Sequence, residues 1–209
     1  MDIRHSGISV CAGILAGGQA GRIGGIAKGL IETASGTSII EALALEMKLA
    51  GIEDIVLSAI DTVSYEHLGF EIVTDHGPRI GPIGGVEAVL DHFAGRCDAV
   101  LLMPCDVPNI RAAQMRTLID ALIADESSVA IPRTAAGHFH PLCVVVRDGI
   151  SGKVSDAIQT GERKLMNVWL ENNASIIDFD DESVFQNINT RADLKDWSET
   201  KPGLTDKVA

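Results

Sequence analysis

The sequence predicts an α/β fold in which helices cover both faces of a mostly parallel central sheet. Two observations carry this. Short, continuous apolar runs recur along the chain, as expected of strands buried on both faces. Segments with helical apolar spacing lie between them. The first run, residues 8–15, reads as a fully buried strand. Residues 38–49 (SIIEALALEMKL) have helical spacing and stop at Ala50-Gly51. Strands are expected at 54–59 and 70–74, and a helix at 86–93. Residues 99–103 (AVLLM) form a strand running into Pro104, followed by a helix over 112–124. Apolar strands come next at 128–131 and 142–146, then helices at 154–160 and 164–171, a late strand at 174–179 and a terminal helix at 191–197.

The 209 residues are enough for one well-packed domain, and no linker divides them. The expected organisation is a single domain over 1–198 and a polar, frayed tail over 199–209. There is no internal repeat or low-complexity segment. With 46% hydrophobic and 22% charged residues, the chain has globular composition. No apolar run reaches the roughly 18 residues of a membrane span. The amino-terminal stretch superficially resembles a signal peptide, but its apolar part is short and runs straight into glycines, so it reads as the first strand. A net charge of −12 without a basic stripe argues against nucleic acid as a partner. Local charges still decide a small-ligand site, because salt screens distant ones within about 8 Å. The four cysteines, Cys11, Cys97, Cys105 and Cys143, are widely spaced with no CxxC pair. A disulfide framework or zinc site is not expected, and a reducing cytoplasm is.

In parallel sheets of this kind, ligands bind beyond the carboxyl ends of the strands, so the residues just past each strand matter most. After the first strand comes LAGGQAGRIGGIAKGL, from Leu15 and Ala16 through Gly17 and Gly18 to Leu30. Its glycines let the backbone approach a ligand and turn N–H groups inward, a concavity suited to phosphate. Arg22 and Lys28 add positive charge. The spacing is neither GxGxxG nor a GK[ST] P-loop. A solvated glycine-rich loop is the alternative, and two cations so soon after the strand weigh against it.

Asp75 comes after the third strand, and Gly81-Pro82-Ile83-Gly84-Gly85 opens a helix. This pair could contact a ribose, although Asp, Gly and Pro favour turns on their own account. Asp106 ends the strongly apolar strand within PCDVP, where a carboxylate meets the sheet's ligand-binding edge. Mg²⁺ prefers such hard oxygen ligands and is usually held by one or two carboxylates plus substrate phosphates. A turn or helix-cap aspartate is the alternative. Taken alone, His140 reads as a structural histidine. Arg163 and Lys164 fit either a solvated face or a second anionic substrate. Asn187 and Asn189 are open between structure and function. Thr190, with Asp193 three residues on, has the spacing to cap the last helix.

Together these segments resemble the molybdenum-cofactor guanylyltransferase family (the MobA type). The matching motifs are LAGGQAGRIGGIAKGL, DHGPRIGPIGG, PCDVP, HPL, GERKLM and NINTRADL, in the family's order and spanning 15–194. The resemblance implies a three-layer, Rossmann-like fold of the nucleotide-diphospho-sugar-transferase type. It implies that Leu15, Ala16, Gly17 and Gly18 hold the base and phosphates of GTP and that Arg22 and Lys28 grip the triphosphate. Ser58, Asp75, Gly81, Pro82 and Gly84 would line the nucleoside pocket, and Asp106 would bind Mg²⁺. His140, Arg163, Lys164, Asn187 and Asn189 would face the pterin substrate. Three positions depart from the family pattern: Ala27 where Asp is common before the loop lysine, Ser58 where a related strand carries Asn, and Arg191 where the carboxy-terminal motif has proline.

The reaction so implied is Mg²⁺-dependent transfer of GMP from GTP to molybdopterin, with Arg22, Lys28 and Asp106 as the catalytic set. An ionised phosphate nucleophile needs little general-base help, in keeping with key loops that lack an obvious catalytic His or Glu. Transient contact with molybdoenzymes or other cofactor-biosynthesis proteins is expected; contact with nucleic acid or membrane is not. The competing readings are a cytidylyltransferase of the same fold and a catalytically weak cofactor-binding relative.

Overall fold

In a computed structural model, which describes residues 7–17, 22–23, 26–33, 36–75 and 80–200, the alternating pattern becomes a seven-stranded sheet between two helical layers. The elements are β1 (Val10–Leu15), β2 (Arg22–Ile23), β3 (Ile26–Ala27), α1 (Ile39–Leu49), β4 (Ile55–Ser58), β5 (Glu71–Val73), α2 (Pro82–Phe93) and β6 (Ala99–Pro104). Beyond these lie α3 (Ala112–Ala124), β7 (Val129–Thr134), β8 (Val144–Arg147), α4 (Ser151–Thr160), α5 (Leu165–Leu170), β9 (Ala174–Phe179) and α6 (Arg191–Thr200). Short 3₁₀ turns occupy Lys28–Leu30, Glu66–Leu68 and Glu182–Phe185. From residue 201 onward, the expected tail lies outside the described residues.

The strand order is β5-β4-β1-β6-β8-β7-β9. The pairings β5–β4, β4–β1, β1–β6 and β7–β9 are parallel, whereas β8 runs antiparallel to both β6 and β7. The sheet is mostly parallel, as expected. The reversal at β8 was not foreseen, because an apolar run carries no sign of its direction. Alternation along each strand splits the core in two. Ala12 and Ile14 of β1 face a cluster with α1, α3 and Trp197 of α6. Cys11 and Leu15 face the opposite cluster, with α2, α4 and α5.

Local chemistry sets the element ends. The Ser38 side chain accepts from the Glu41 amide while Glu41 accepts from the Ser38 amide, a reciprocal cap that starts α1. Pro82 at the first turn of α2 needs no amide partner there. Gly13 in β1 is obligatory for packing: a Cβ there would come within 2.4 Å of Val89 Cγ1. Glycine thus lets α2 lie close against the sheet, and so fixes where the amino end of α2 sits relative to the strand ends.

Candidate active site at the carboxyl edge of the sheet

β1 and β6 run side by side to their ends, where Leu15 pairs with Pro104 and the Cys105 amide donates to the Leu15 carbonyl at 3.1 Å. On the other flank, the Ala16 amide donates to the Ser58 carbonyl at 2.8 Å. Leu15, Ala16 and Gly17 therefore leave the sheet between the ends of β4 and β6. Gly18 lies outside the described residues. The small antiparallel ladder of β2 and β3 pairs Arg22 with Ala27, next to Lys28. Gly29 lets the next turn press onto α1, since a Cβ would come within 2.4 Å of Ile40 Cδ1.

This turn buries Lys28, which is 5% exposed and is the only charged residue among the described ones to be buried. Lysine is almost never buried without a partner. Here Nζ donates to Asn189 Oδ1 at 2.6 Å and lies 3.9 Å from Asp106 Oδ2. Three segments far apart in sequence thus converge: the glycine-rich loop, the end of β6 and the residues before α6. Burial holds the Asp106 carboxyl above the usual carboxylate range, and the nearby Lys28 ammonium only partly counters this. Burial also pushes the Cys105 thiol up to about 12. Asn189 is held in turn by the cap of α6. Asp193 Oδ2 accepts from the Asn189 and Thr190 amides, and the Asp193 amide donates to Thr190 Oγ1. The capping role expected of Thr190 and Asp193 is therefore present.

A second group forms at the amino end of α2. A Cβ on Gly84 would lie 2.8 Å from Asp75 Oδ2, and one on Gly85 would lie 2.7 Å from Ser58 Oγ and 3.7 Å from Asp75 Oδ1. Ser58, Asp75 and these glycines thus form one wall. Gly81 adopts φ +91°, a value that glycine tolerates and that lets Pro82 begin the helix.

The expected pterin-facing residues are divided. Asn189 joins Lys28. The ring of His140 stacks on Phe185 at 4.7 Å, with Nε2 buried and without a hydrogen-bond partner among the described residues. Burial and the neighbouring His138 lower its pKa. Arg163 folds back instead, its guanidinium donating to the carbonyls of Ile158 and Glu162. Glu162 braces the turn that leads into α5. Hydrogen bonds from the Asn167 side chain and the Lys164 and Arg163 amides hold its pKa at about 2. Arg163, Lys164 and Asn187 are exposed, and among the described residues the side-chain partners of Lys28 are Asn189 and Asp106.

Sequence reasoning missed Asn109, whose amide joins the loop after Asp106 to the carboxy-terminal segment. Its only sequence signal is a Pro-Asn turn, which is common in any protein.

As a site for Mg²⁺, Asp106 fits. It is a hard oxygen donor with a side chain 24% exposed, and its one neighbouring cation, among the described residues, is already bonded to Asn189. A single carboxylate completed by substrate phosphates is an ordinary Mg²⁺ arrangement.

A three-layer α/β sheet with a glycine-rich loop, a buried lysine and a half-buried carboxylate at its carboxyl edge is the architecture of a nucleotidyltransferase. The chain belongs to the MobA-like NTP transferase family, whose model matches residues 12–175. It is 33% identical over 201 residues to the molybdenum cofactor guanylyltransferase of Serratia proteamaculans, covering 93% of this chain and 96% of that protein. The enzyme of the same name from Bordetella pertussis is 30% identical over 190 residues, covering 87% and 93%. Among solved structures, molybdopterin-guanine dinucleotide biosynthesis protein A from Archaeoglobus fulgidus shares the fold. It has a TM-score of 0.70 and 24% identity, over 90% of this chain and 96% of that one.

Proposed function

We propose that this nucleotidyltransferase transfers GMP from GTP to the molybdenum cofactor, releasing pyrophosphate and forming the guanine dinucleotide form. The observation that carries this reading is the meeting of Lys28, Asp106 and Asn189 at one rim of the sheet, in a chain whose relatives are named for that activity. The terminal phosphate of molybdopterin attacks the α-phosphorus of GTP; a new P–O bond forms, the α–β bridging P–O bond breaks, and pyrophosphate leaves. Lys28, with Arg22 on β2, neutralises the charge that gathers on the leaving group. Asp106 would hold Mg²⁺, which when bound supplies charge neutralisation on phosphate oxygens. The nucleotide is assigned to Leu15, Ala16, Gly17 and Gly18 and to the wall of Ser58, Asp75, Gly81, Pro82 and Gly84. His140 and Asn189 are assigned to the pterin side. Arg163, Lys164 and Asn187 stay candidates for that side on charge and exposure. Catalysis rests on positioning and fixed charge, with no general base required.

No helix among the described residues is long and apolar enough to cross a membrane. All four cysteines are free and buried, which supports a reducing cytoplasmic setting. Transient contact with molybdoenzymes or other cofactor-biosynthesis proteins fits a cofactor that must be delivered.

The test is release of pyrophosphate from GTP by the purified protein. Release that requires both Mg²⁺ and molybdopterin is the expected result. Equal turnover of CTP would overturn the guanylyl reading, and tight cofactor binding without pyrophosphate release would overturn the enzymatic one.

A further inference from the structure

The carboxy-terminal arm, running from the 3₁₀ turn Glu182–Phe185 through α6, follows the edge strand β9 and carries Trp197 into the core cluster that includes α1 and α3. It supplies Asn189 to the reaction centre, so its seating decides where Lys28 points. Among the described residues, at least three hydrogen bonds join the arm to the loop that carries Asp106. The Ile188 amide donates to the Asp106 carbonyl at 2.8 Å. The other two both use one side chain: Asn109 Nδ2 donates to the Ser183 carbonyl at 2.9 Å, and Asn109 Oδ1 accepts from Trp197 Nε1 at 2.8 Å.

Asn109 is three residues from Asp106, and its donor end and its acceptor end both hold the arm, at points before and after Asn189. The loop is braced within itself, Arg111 donating to the Pro108 and Ile110 carbonyls, and is fastened to α1 at Glu46, which accepts from the Ala112 amide and lies 3.6 Å from Arg111 Nε. Trp197, 8% exposed, packs into the core on that face. The linkage therefore joins the Asp106 loop to an arm whose Val184, Phe185, Ile188 and Trp197 are themselves buried. Only a side chain that both donates and accepts can replace it, which aspartate and leucine cannot do.

We infer that Asn109 is a positioning residue for the transfer reaction: by clamping the arm to the Asp106 loop, its amide holds Asn189 against Lys28 and so sets the spacing between the Lys28 ammonium and the Asp106 carboxylate. This rests on the nucleotidyl-transfer reading above, which wild-type turnover tests separately. The variant ratios test the clamp.

The experiment compares the full-length wild type with Asn109→Ala, Asn189→Ala, the double variant and Trp197→Phe, which keeps an aromatic ring in the core and loses the indole donor along with part of the ring volume. Steady-state kcat and KM for GTP are measured, together with thermal midpoints and the hydrogen exchange of the Ile188 amide. Asn109→Ala is expected to lower kcat by about ten- to a hundredfold, since small misplacements of reacting groups cost that much. KM for GTP stays within about threefold, because the side chain does not touch substrate. The double variant should be no slower than Asn189→Ala, as residues acting through one another are non-additive. The Ile188 amide should exchange about tenfold faster in Asn109→Ala, as local opening becomes easier. Trp197→Phe should show the same pattern to a smaller extent, and it decides the question should Asn109→Ala fail to fold. Wild-type kcat in both variants, or penalties that multiply in the double variant, would overturn the inference. So would a purely thermal loss with kcat unchanged.

Discussion

Strand β6 has an aspartate just beyond each end, and the two behave in opposite ways. Asp98, before the strand, is exposed and accepts from both the amide and the hydroxyl of Ser9 at 2.7 Å. These bonds hold its carboxyl below the usual range. Asp106, after the strand, is partly buried, has Lys28 at 3.9 Å and is held above that range by desolvation. The same residue type thus does two jobs. Asp98 is satisfied by the protein and ties β6 to the entry of β1. Asp106 is left short of compensation by the protein, which suits the Mg²⁺ role proposed for it. The aspartate at the sheet's amino edge is satisfied within the protein, and the one at its carboxyl edge is where the proposed site lies.

The sharpest way to break this contrast is to remove the charges at the carboxyl edge. Asp106→Asn and Lys28→Met should each lower kcat by about 10²–10³, the usual cost of losing one transition-state electrostatic contact. Both should remain folded by circular dichroism. Near-wild-type pyrophosphate release from either would remove the catalytic distinction between the two edges.

The pH dependence of stability gives a second test, because the two aspartates carry opposite signs. Asp98 has a folded pKa below its unfolded value. Its contribution is fully present above the unfolded pKa and is lost as pH falls through the folded one. Asp98→Asn should therefore lower the thermal midpoint at neutral pH, and this deficit should close as the solution is acidified. Asp106 has a folded pKa above its unfolded value, so its protonated form favours folding and its ionisation costs stability as pH rises through the folded pKa. In metal-free protein, Asp106→Asn should be at least as stable as the wild type at neutral pH, with the difference vanishing in acid. Midpoints that move in the same direction for both substitutions would contradict the comparison.

The smallest effect belongs to Ser9. Ser9→Ala removes a hydroxyl that donates to the exposed Asp98 carboxylate and accepts from the Asp98 amide, and should cost about 1 kcal/mol. For a chain of this size that corresponds to roughly 2–4 °C in the thermal midpoint. Activity should not change, since the amide bond to Asp98 and the whole carboxyl edge remain. A fall in kcat would show that the two ends of β6 are coupled.

The sequence by itself determined the layers and the chemistry on offer. Apolar runs bounded by glycine, proline and caps fixed where strands and helices lie, and α3 and β9 fall at the expected residues, because burial on both faces and helical periodicity are written in local composition. It also placed Lys28 and Asp106 after strands, where the rules of parallel sheets put ligands. Only the tertiary structure decided the direction of β8, since apolar content is the same read either way. Only tertiary structure gave Asn189 to Lys28 across the length of the chain, turned Arg163 back onto the end of α4 and drew Asn109 into contact with the arm. Those choices depend on which distant donor meets which acceptor once the core has closed, and a polar residue's nearest neighbours in sequence carry no record of that meeting.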